Sequence, residues 1–257
     1  MNTPTFIKDN IEKIKSRDDV SFKILAPYYH ERYSKNKYIS DVLSDCPDKT
    51  INRELVKKYF NNKQELHGFY AAMIWGGISA GGITGDNLTK IINQDQSKII
   101  NIIQKANEMI INNNFASAFT YMNGDGKING IGASYFTKLF FFLGQSNNQA
   151  LIPPIFDKWT KLAYSVLAIE ADDKEKMFSF VKKYKNGNIF FHSHIENKIY
   201  DDFCTDMNRW AKSSNVSTDN LERFIFGSDR RQDKSINNPR IYFLKQADTY
   251  FSKLNKT

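Results

Sequence analysis

Apolar residues recur at helical spacing along most of this 257-residue chain, and this pattern constrains the fold more than any other feature. The clearest case is the segment 94–114, where isoleucine, alanine and methionine return every three or four residues before a polar stop of three asparagines. The same pattern predicts further helices over residues 52–60, 66–78, 134–143, 158–169, 174–183, 195–212, 218–226 and 241–254.

Strand signals are few in comparison. The strongest lies at residues 188–192, which follow a turn-like sequence at 185–188. Many helices joined by short connections are typical of an all-α fold, and a chain of this length buries a core without needing disulfides or metals. We therefore predict a single domain over residues 1–257 that consists of two helical lobes.

The charge of the chain is moderately basic. It carries 36 lysine and arginine residues against 28 acidic residues, which gives a net charge of +8. This excess fits a polyanionic partner such as nucleic acid, but a composition rich in lysine, asparagine and isoleucine is also what an AT-rich genome produces. Charge alone therefore leaves a solvated basic surface equally open.

The two cysteines, Cys46 and Cys204, exclude a disulfide framework and every cysteine-based zinc pattern, which suggests a reducing compartment. The N-terminal residues lack the basic-then-apolar order of a signal peptide. No apolar run approaches the roughly 20 residues that a membrane helix needs. We expect a soluble, cytoplasmic monomer without a metal or other cofactor.

The most informative local pattern is Gly130-Ile131-Gly132, between a short helix at about 115–122 and a longer helix that starts near Ala133. Two glycines allow positive φ and a close approach of a partner, and Ile131 can anchor the turn in the core. The amides of the turn and of the next helix would then bind an anion such as a DNA phosphate. This is typical of a helix–hairpin–helix unit, although an ordinary corner between two helices is the alternative.

The neighbouring residues 123–128 look like the middle of an EF-hand loop. In that register Tyr121 and Gly132 take ligand positions that neither residue can fill, which argues against calcium binding.

Two ionisable residues follow the hairpin at positions suited to chemistry. Lys138 shares a helix face with Ser134 and lies among aromatic residues. Asp157 follows an apolar, proline-restricted stretch and lies where a helix should begin, so its carboxylate would cap free amides and be held rigidly. A surface lysine and a plain N-cap are the corresponding alternatives.

This order of hairpin, lysine-bearing helix, short loop, apolar stretch and aspartate resembles the helix–hairpin–helix (HhH-GPD) DNA glycosylase superfamily. More closely, it is similar to bacterial 8-oxoguanine DNA glycosylase OGG-fold proteins. The specific match covers residues 122–163, inside the segment 115–165 that holds the hairpin and the catalytic residues. It rests on Gly130-Ile-Gly-Ala-Ser-Tyr-Phe-Thr-Lys-Leu-Phe-Phe-Phe-Leu143 and Ile155-Phe-Asp157-Lys-Trp159.

The resemblance implies a DNA repair enzyme with a two-lobed all-α fold, in which a damaged nucleotide is flipped into the cleft between the lobes. It makes Asp157 the catalytic carboxylate and Lys138 the candidate nucleophile, facing each other across that cleft. The chain departs from the pattern at one point. In the best-known bifunctional members the lysine comes two residues after the last turn glycine, where this chain has Ser134.

Cleavage of an N-glycosidic bond builds positive charge on the deoxyribose, which a fixed carboxylate such as Asp157 would stabilise. A nucleophilic Lys138 must be neutral when it attacks C1′, and desolvation among aromatic residues favours the neutral amine. The product would be a Schiff base, and β-elimination would nick the strand. If Lys138 only positions the DNA, Asp157 activates water and the abasic strand stays intact.

Other residues are expected to contact the DNA. Phosphate contacts are predicted for the hairpin and for nearby polar or basic side chains, with a solvated surface charge as the alternative for each. Base contacts are predicted for aromatic residues, with packing in the core as the alternative. The phosphate set is Gly130, Ile131, Gly132, Ser134, Lys127, Lys158 and Lys161, and the base-pocket set is Trp75, Phe136, Trp159 and Trp210.

The excised base stays open at this stage. It can be an oxidised purine such as 8-oxoguanine, or a phage-modified cytosine such as glucosylated hydroxymethylcytosine in anti-phage defence. A non-catalytic helix–hairpin–helix DNA-binding module is the alternative from another functional class.

Overall fold

The computed structural model describes residues 2–16, 22–23, 29, 32–46, 49–79, 86–183, 189–227, 233–235 and 237–252. The helices are α1 (Thr5–Asp9), α2 (Ile11–Lys15), α3 (Lys37–Ser44), α4 (Arg53–Asn61), α5 (Glu65–Trp75), α6 (Asn87–Ile92), α7 (Gln96–Ile111), α8 (Phe115–Asn123), α9 (Ala133–Ser146), α10 (Lys158–Glu170), α11 (Lys174–Phe180), α12 (Glu196–Ser213), α13 (Thr218–Phe226) and α14 (Pro239–Phe251). The strands are β1 (Phe22–Lys23), β2 (Thr50–Ile51), β3 (Val181–Lys183) and β4 (Ile189–Phe191), and Ser193–Ile195 forms a 3₁₀ turn.

The chain divides into two compact units. One unit consists of Met1–Asp18 and Pro154–Thr257, and the other of Asp19–Pro153. We call them the split unit and the continuous unit.

The continuous unit is organised around helix α5. This helix is apolar around its whole circumference, and its residues from Phe69 to Trp75 are all buried, as expected for a helix at the centre of a core. Helices α3, α4 and α9 pack against α5, and α9 also contacts α7 and α8. Because α9 carries a run of buried phenylalanines, Phe140 to Phe142, its position in this core is fixed by large apolar side chains.

The split unit is organised around helix α10, which is buried from Leu162 to Ile169. Helices α1, α11, α13 and α14 pack against it, and α12 packs against α13. Helix α12 is amphipathic and buries Phe203, Met207 and Trp210 on one side. Each unit therefore has an apolar core of its own.

The predicted all-α fold is confirmed, since the strands found in the described ranges form only two short antiparallel ribbons, β1 with β2 and β3 with β4. The prediction of a strand near 188–192 is confirmed at Ile189–Phe191, while the turn-like residues 185–188 lie outside the described residues. The prediction of a helix through residue 183 is wrong at its end. Helix α11 stops at Phe180 because Val181–Lys183 pairs with the next strand, with Val181 opposite Phe191.

Within the part of the chain that the structure describes, no helix is both long enough and apolar enough to cross a membrane.

Candidate active site

The hairpin comprises residues 124–132, between the end of α8 and the start of α9. Gly130 has a φ of +99°, and a Cβ atom at this position would lie 2.7 Å from the backbone oxygen of Asn87. Both facts require glycine there. Gly132 is different, because its φ of −123° is open to any residue and an added Cβ would meet nothing within 4 Å. The expectation of positive φ is thus confirmed for Gly130 and wrong for Gly132.

The hairpin presents a group of backbone donors. Gly132 is the N-cap of α9, and among the described residues no acceptor is found for the N–H groups of Gly132, Ala133 and Ser134. Gly132 is exposed, and the other two are partly exposed. Unpaired amides at a helix N-terminus form an anion site, and the open space beside Gly132 lets a ligand come close to them.

The hairpin is held in place by contacts within the continuous unit. Ile131 is buried, as predicted for the anchor of the turn. The side-chain amide of Gln94 clamps Asn129 in both directions, with Nε2 donating to the Asn129 oxygen at 2.9 Å and Oε1 accepting from the Asn129 N–H at 2.9 Å. The sequence interpretation missed Gln94, because a contact across 35 residues leaves no local pattern.

Lys138 lies on α9 and is only 8% exposed. Its Nζ donates to the backbone oxygen of Ser134 at 2.6 Å and lies 5.1 Å from the ring centre of Tyr135. Helical side chains lean toward the N-terminus, so the amine reaches back to the first turn of α9. That turn holds position 134, where the resemblance places the lysine of bifunctional glycosylases.

Asp157 is the N-cap of α10, as predicted. Its Oδ1 accepts from the N–H groups of Trp159 at 2.8 Å and Thr160 at 3.1 Å, and its own N–H donates to Thr160 Oγ1 at 2.9 Å. This is a complete capping box. Among the described residues, Asp157 Oδ2 has no hydrogen-bond partner. The cap fixes the carboxylate through one oxygen and leaves the second for another contact.

Lysine and arginine side chains form the main contacts of the residues that follow Asp157. Trp159 is partly exposed, with the Arg240 guanidinium 4.6 Å from its ring centre and Lys158 Nζ at 5.2 Å. The predicted phosphate contact Lys161 forms an ion pair with Glu196. A phosphate would therefore have to compete with that carboxylate, whereas Lys127 and Lys158 are exposed.

The predicted base-pocket aromatics are deeply buried apart from Trp159. In the continuous unit, Trp75 meets Phe142 edge to face at 5.2 Å, and Phe136 meets Phe119 in the same way at 5.0 Å. In the split unit Trp210 is fully buried, and its Nε1 has no hydrogen-bond acceptor among the described residues. A base contact by any of these side chains stays a prediction.

The structure thus brings the predicted residues together in two groups, one on each unit. The hairpin, Ser134, Phe136 and Lys138 lie at the start of α9, and Asp157, Lys158, Trp159 and Lys161 lie at the start of α10. That Lys138 and Asp157 face each other stays a prediction. No group of three histidine, cysteine, aspartate or glutamate side chains suited to a metal ion is found in the described ranges.

Comparison with known proteins gives one match. No curated protein and no solved structure matches the chain. A family model described as "Putative 8-oxoguanine DNA glycosylase OGG-like protein" matches residues 18–226. This range includes the hairpin, Lys138 and Asp157 and covers most of the 257 residues. The chain therefore belongs to the OGG-like family of DNA glycosylases.

Proposed function

We propose that this protein excises a modified base from duplex DNA by cleaving its N-glycosidic bond, with Asp157 and Lys138 as the catalytic residues. The observation that carries the proposal is the position of the Lys138 amine, 2.6 Å from the Ser134 oxygen in the turn whose amides can hold a phosphate. A buried lysine amine and the unpaired backbone N–H groups thus share one helical turn, which supports the proposal. An oxidised purine such as 8-oxoguanine is the first substrate to test, because the family is described by that base.

The hairpin supports DNA binding without reading sequence. Phosphate oxygens would accept from the N–H groups of Gly132, Ala133 and Ser134, and these contacts fix register without distinguishing bases. The space beside Gly132, where an added Cβ would meet nothing within 4 Å, allows the DNA backbone to approach the helix end. The exposed Lys127 would add a charge contact that weakens as the salt concentration rises.

Asp157 is suited to stabilising the sugar. As the bond to the base lengthens, positive charge develops on the deoxyribose, and an oriented carboxylate lowers the energy of that state. The capping box holds Oδ1 and thereby orients Oδ2. Because the carboxylate is fixed before substrate binds, little reorganisation is needed during the reaction.

Lys138 is suited to attack on C1′. Its neutral amine would form a bond to C1′ as the bond to the base breaks, and the departing base would keep the electron pair and take up a proton. Loss of a further proton from nitrogen and opening of the sugar give a Schiff base, from which β-elimination nicks the strand. If Lys138 serves only to position the DNA, water supplies the nucleophile and the strand stays intact.

Stacking and edge contacts to the flipped base must offset the free energy of unstacking it, which is roughly a few kcal/mol. The indole N–H of Trp210 has no acceptor among the described residues, but its side chain is fully buried. Trp210 would therefore contact a flipped base only after a rearrangement of the split unit. Trp159 is the stacking surface that we propose, because it is the one of the four predicted aromatic residues that is partly exposed.

The test is incubation of the protein with duplexes that carry single modified bases and with glucosylated phage DNA, followed by mass spectrometry of released bases. We expect release of one modified base by the wild-type protein and a loss of about 100- to 1000-fold in rate in Asp157→Asn, since electrostatic stabilisation of a transition state by one group contributes about that much. DNA binding by Asp157→Asn should remain near normal. Base release at the wild-type rate would exclude Asp157 from catalysis.

The role of Lys138 is tested separately by borohydride trapping on the cleaved substrate. A covalent adduct in wild type and none in Lys138→Gln is expected. An active enzyme that gives no adduct would make Lys138 a positioning residue and the reaction a hydrolysis.

A further inference from the structure

The C-terminal end of helix α5 lies directly against the side chain of Lys138. A Cβ atom added to Gly76 would lie 2.7 Å from Cδ and 3.0 Å from Cε of Lys138. Real Cβ atoms do not approach other atoms so closely, because the repulsion rises steeply below van der Waals contact. The aliphatic part of Lys138 therefore occupies the space that a side chain at position 76 would fill.

The backbone at Gly76 does not itself require glycine. Its φ of −71° and ψ of −4° are helical values that any residue adopts. Apart from Lys138, the nearest atom to the added Cβ is the Ala72 oxygen of the same helix, at 3.1 Å. The lysine side chain is thus the contact that excludes a larger residue.

A second contact joins the same two helices beside Lys138. The hydroxyl of Tyr135 donates to the backbone oxygen of Gly77 at 3.1 Å, and the Tyr135 ring lies 5.1 Å from Lys138 Nζ. The end of α5 therefore contacts the aliphatic part of Lys138 and is tied to the residue beside its amine. The amine itself is held on its own helix by the Ser134 oxygen at 2.6 Å.

We propose that Gly76 is a positioning residue for Lys138, which holds the amine at the first turn of α9, with Tyr135 fixing the end of α5 to that turn. The catalytic meaning of this contact rests on the function proposed above, but the contact itself does not. A displacement of about 1 Å at a reacting group can reduce a rate by about 100-fold. Gly76 would therefore affect chemistry without touching DNA.

The first experiment measures the position of the amine without any substrate. Reductive methylation with formaldehyde and cyanoborohydride is followed by mass spectrometry, and Lys138 labelling is expressed relative to the exposed Lys127. We expect Gly76→Ala to change this ratio at least threefold. Gly68→Ala, on the same helix α5, is the matched control, because its added Cβ would crowd the Phe60 ring of α4 at 2.8 Å and should leave the ratio unchanged.

A ratio in Gly76→Ala equal to that of wild type would overturn the inference. So would an equal change in Gly68→Ala, because the effect would then be a general loosening of α5. If Gly76→Ala does not fold, the double variant Gly76→Ala/Lys138→Ala decides. Recovery of folding in the double variant supports the contact, and failure to recover means that Gly76 is needed for another reason.

The second experiment tests the consequence for the reaction. On a substrate that wild type cleaves, Gly76→Ala should reduce the rate of borohydride-trapped adduct formation at least tenfold, with an unchanged Kd for the duplex. In a Lys138→Ala background, which forms no adduct, Gly76→Ala should cause no further loss in the residual rate of base release. Wild-type trapping in Gly76→Ala overturns the inference, whereas a wild-type protein that releases no base contradicts the proposed function and leaves the labelling result to decide the contact.

Discussion

The two residues that we propose to be catalytic, Asp157 and Lys138, also have structural roles. Asp157 uses Oδ1 for the capping box of α10, and its Oδ2 has no partner among the described residues. Lys138 is buried as a core residue would be, but its Nζ is held by the Ser134 oxygen at the helix start. In both cases local contacts fix a group that we propose to be catalytic. A substitution therefore has to be judged by its effects on stability and on activity separately.

Asp157 allows the two tasks to be separated by a pair of substitutions. Asparagine caps a helix about as well as aspartate, so Asp157→Asn should keep the free energy of unfolding within about 0.5 kcal/mol, whereas Asp157→Ala should lose about 1 kcal/mol. Urea denaturation followed by circular dichroism measures both. Both variants should fail to release base. A loss in Asp157→Asn as large as in Asp157→Ala would show that the charge, and not the cap, stabilises α10.

At the scale of elements, the two glycines of the hairpin differ in backbone conformation and in surroundings. Gly130 packs against the Asn87 oxygen with positive φ, and Gly132 faces open space with an ordinary backbone. The first glycine is explained by the protein itself. No contact among the described residues requires the second glycine, and we propose that a closely approaching ligand does.

This difference predicts opposite behaviour of two alanine variants. Gly130→Ala should lower the free energy of unfolding by about 1 to 3 kcal/mol, the cost of a strained backbone position. Gly132→Ala should fold with nearly wild-type stability and bind duplex DNA several-fold more weakly. Urea denaturation and fluorescence anisotropy with a labelled duplex give the two quantities. Wild-type DNA affinity in Gly132→Ala would remove the hairpin amides from the binding surface.

Local signals predicted the elements that carry the site. The start of α9 after Gly132 and the cap at Asp157 depend on neighbours within a few residues, and both were predicted correctly. The helix window at 174–183 failed because the partner of Val181 is Phe191, which no local window contains. Contacts such as Gln94 with Asn129 and Gly76 with Lys138 join distant segments. Such contacts cannot be predicted from a local stretch of sequence, because they form only in the folded chain.

At the scale of the whole molecule, both units bury tyrosine hydroxyls and cysteine thiols. In the continuous unit, burial raises the pKa of Cys46 to about 11 and that of Tyr70 to about 12. In the split unit, burial raises the pKa values of Cys204 and Tyr200 well above their usual range. Each group holds its proton more tightly in the folded than in the unfolded chain.

These raised pKa values predict a stability that falls at alkaline pH. Unfolded thiols and phenols titrate at 9.0 and 10.0, so above pH 9 the unfolded chain releases protons that the folded chain retains. The contribution of these groups to the free energy of unfolding should therefore be constant below about pH 9, and the free energy of unfolding should decrease progressively from pH 9 to pH 12. Urea denaturation at pH 8, 9.5 and 11 measures the decrease, and absorbance at 295 nm reports tyrosine ionisation.

The pKa of about 11 for Cys46 is lower than the pKa of about 12 for Tyr70. Cys46→Ala should therefore weaken the decrease in the free energy of unfolding between pH 9 and 11 and leave the decrease above pH 11 unchanged. A stability unchanged up to pH 11 would mean that these groups reach solvent in the native protein.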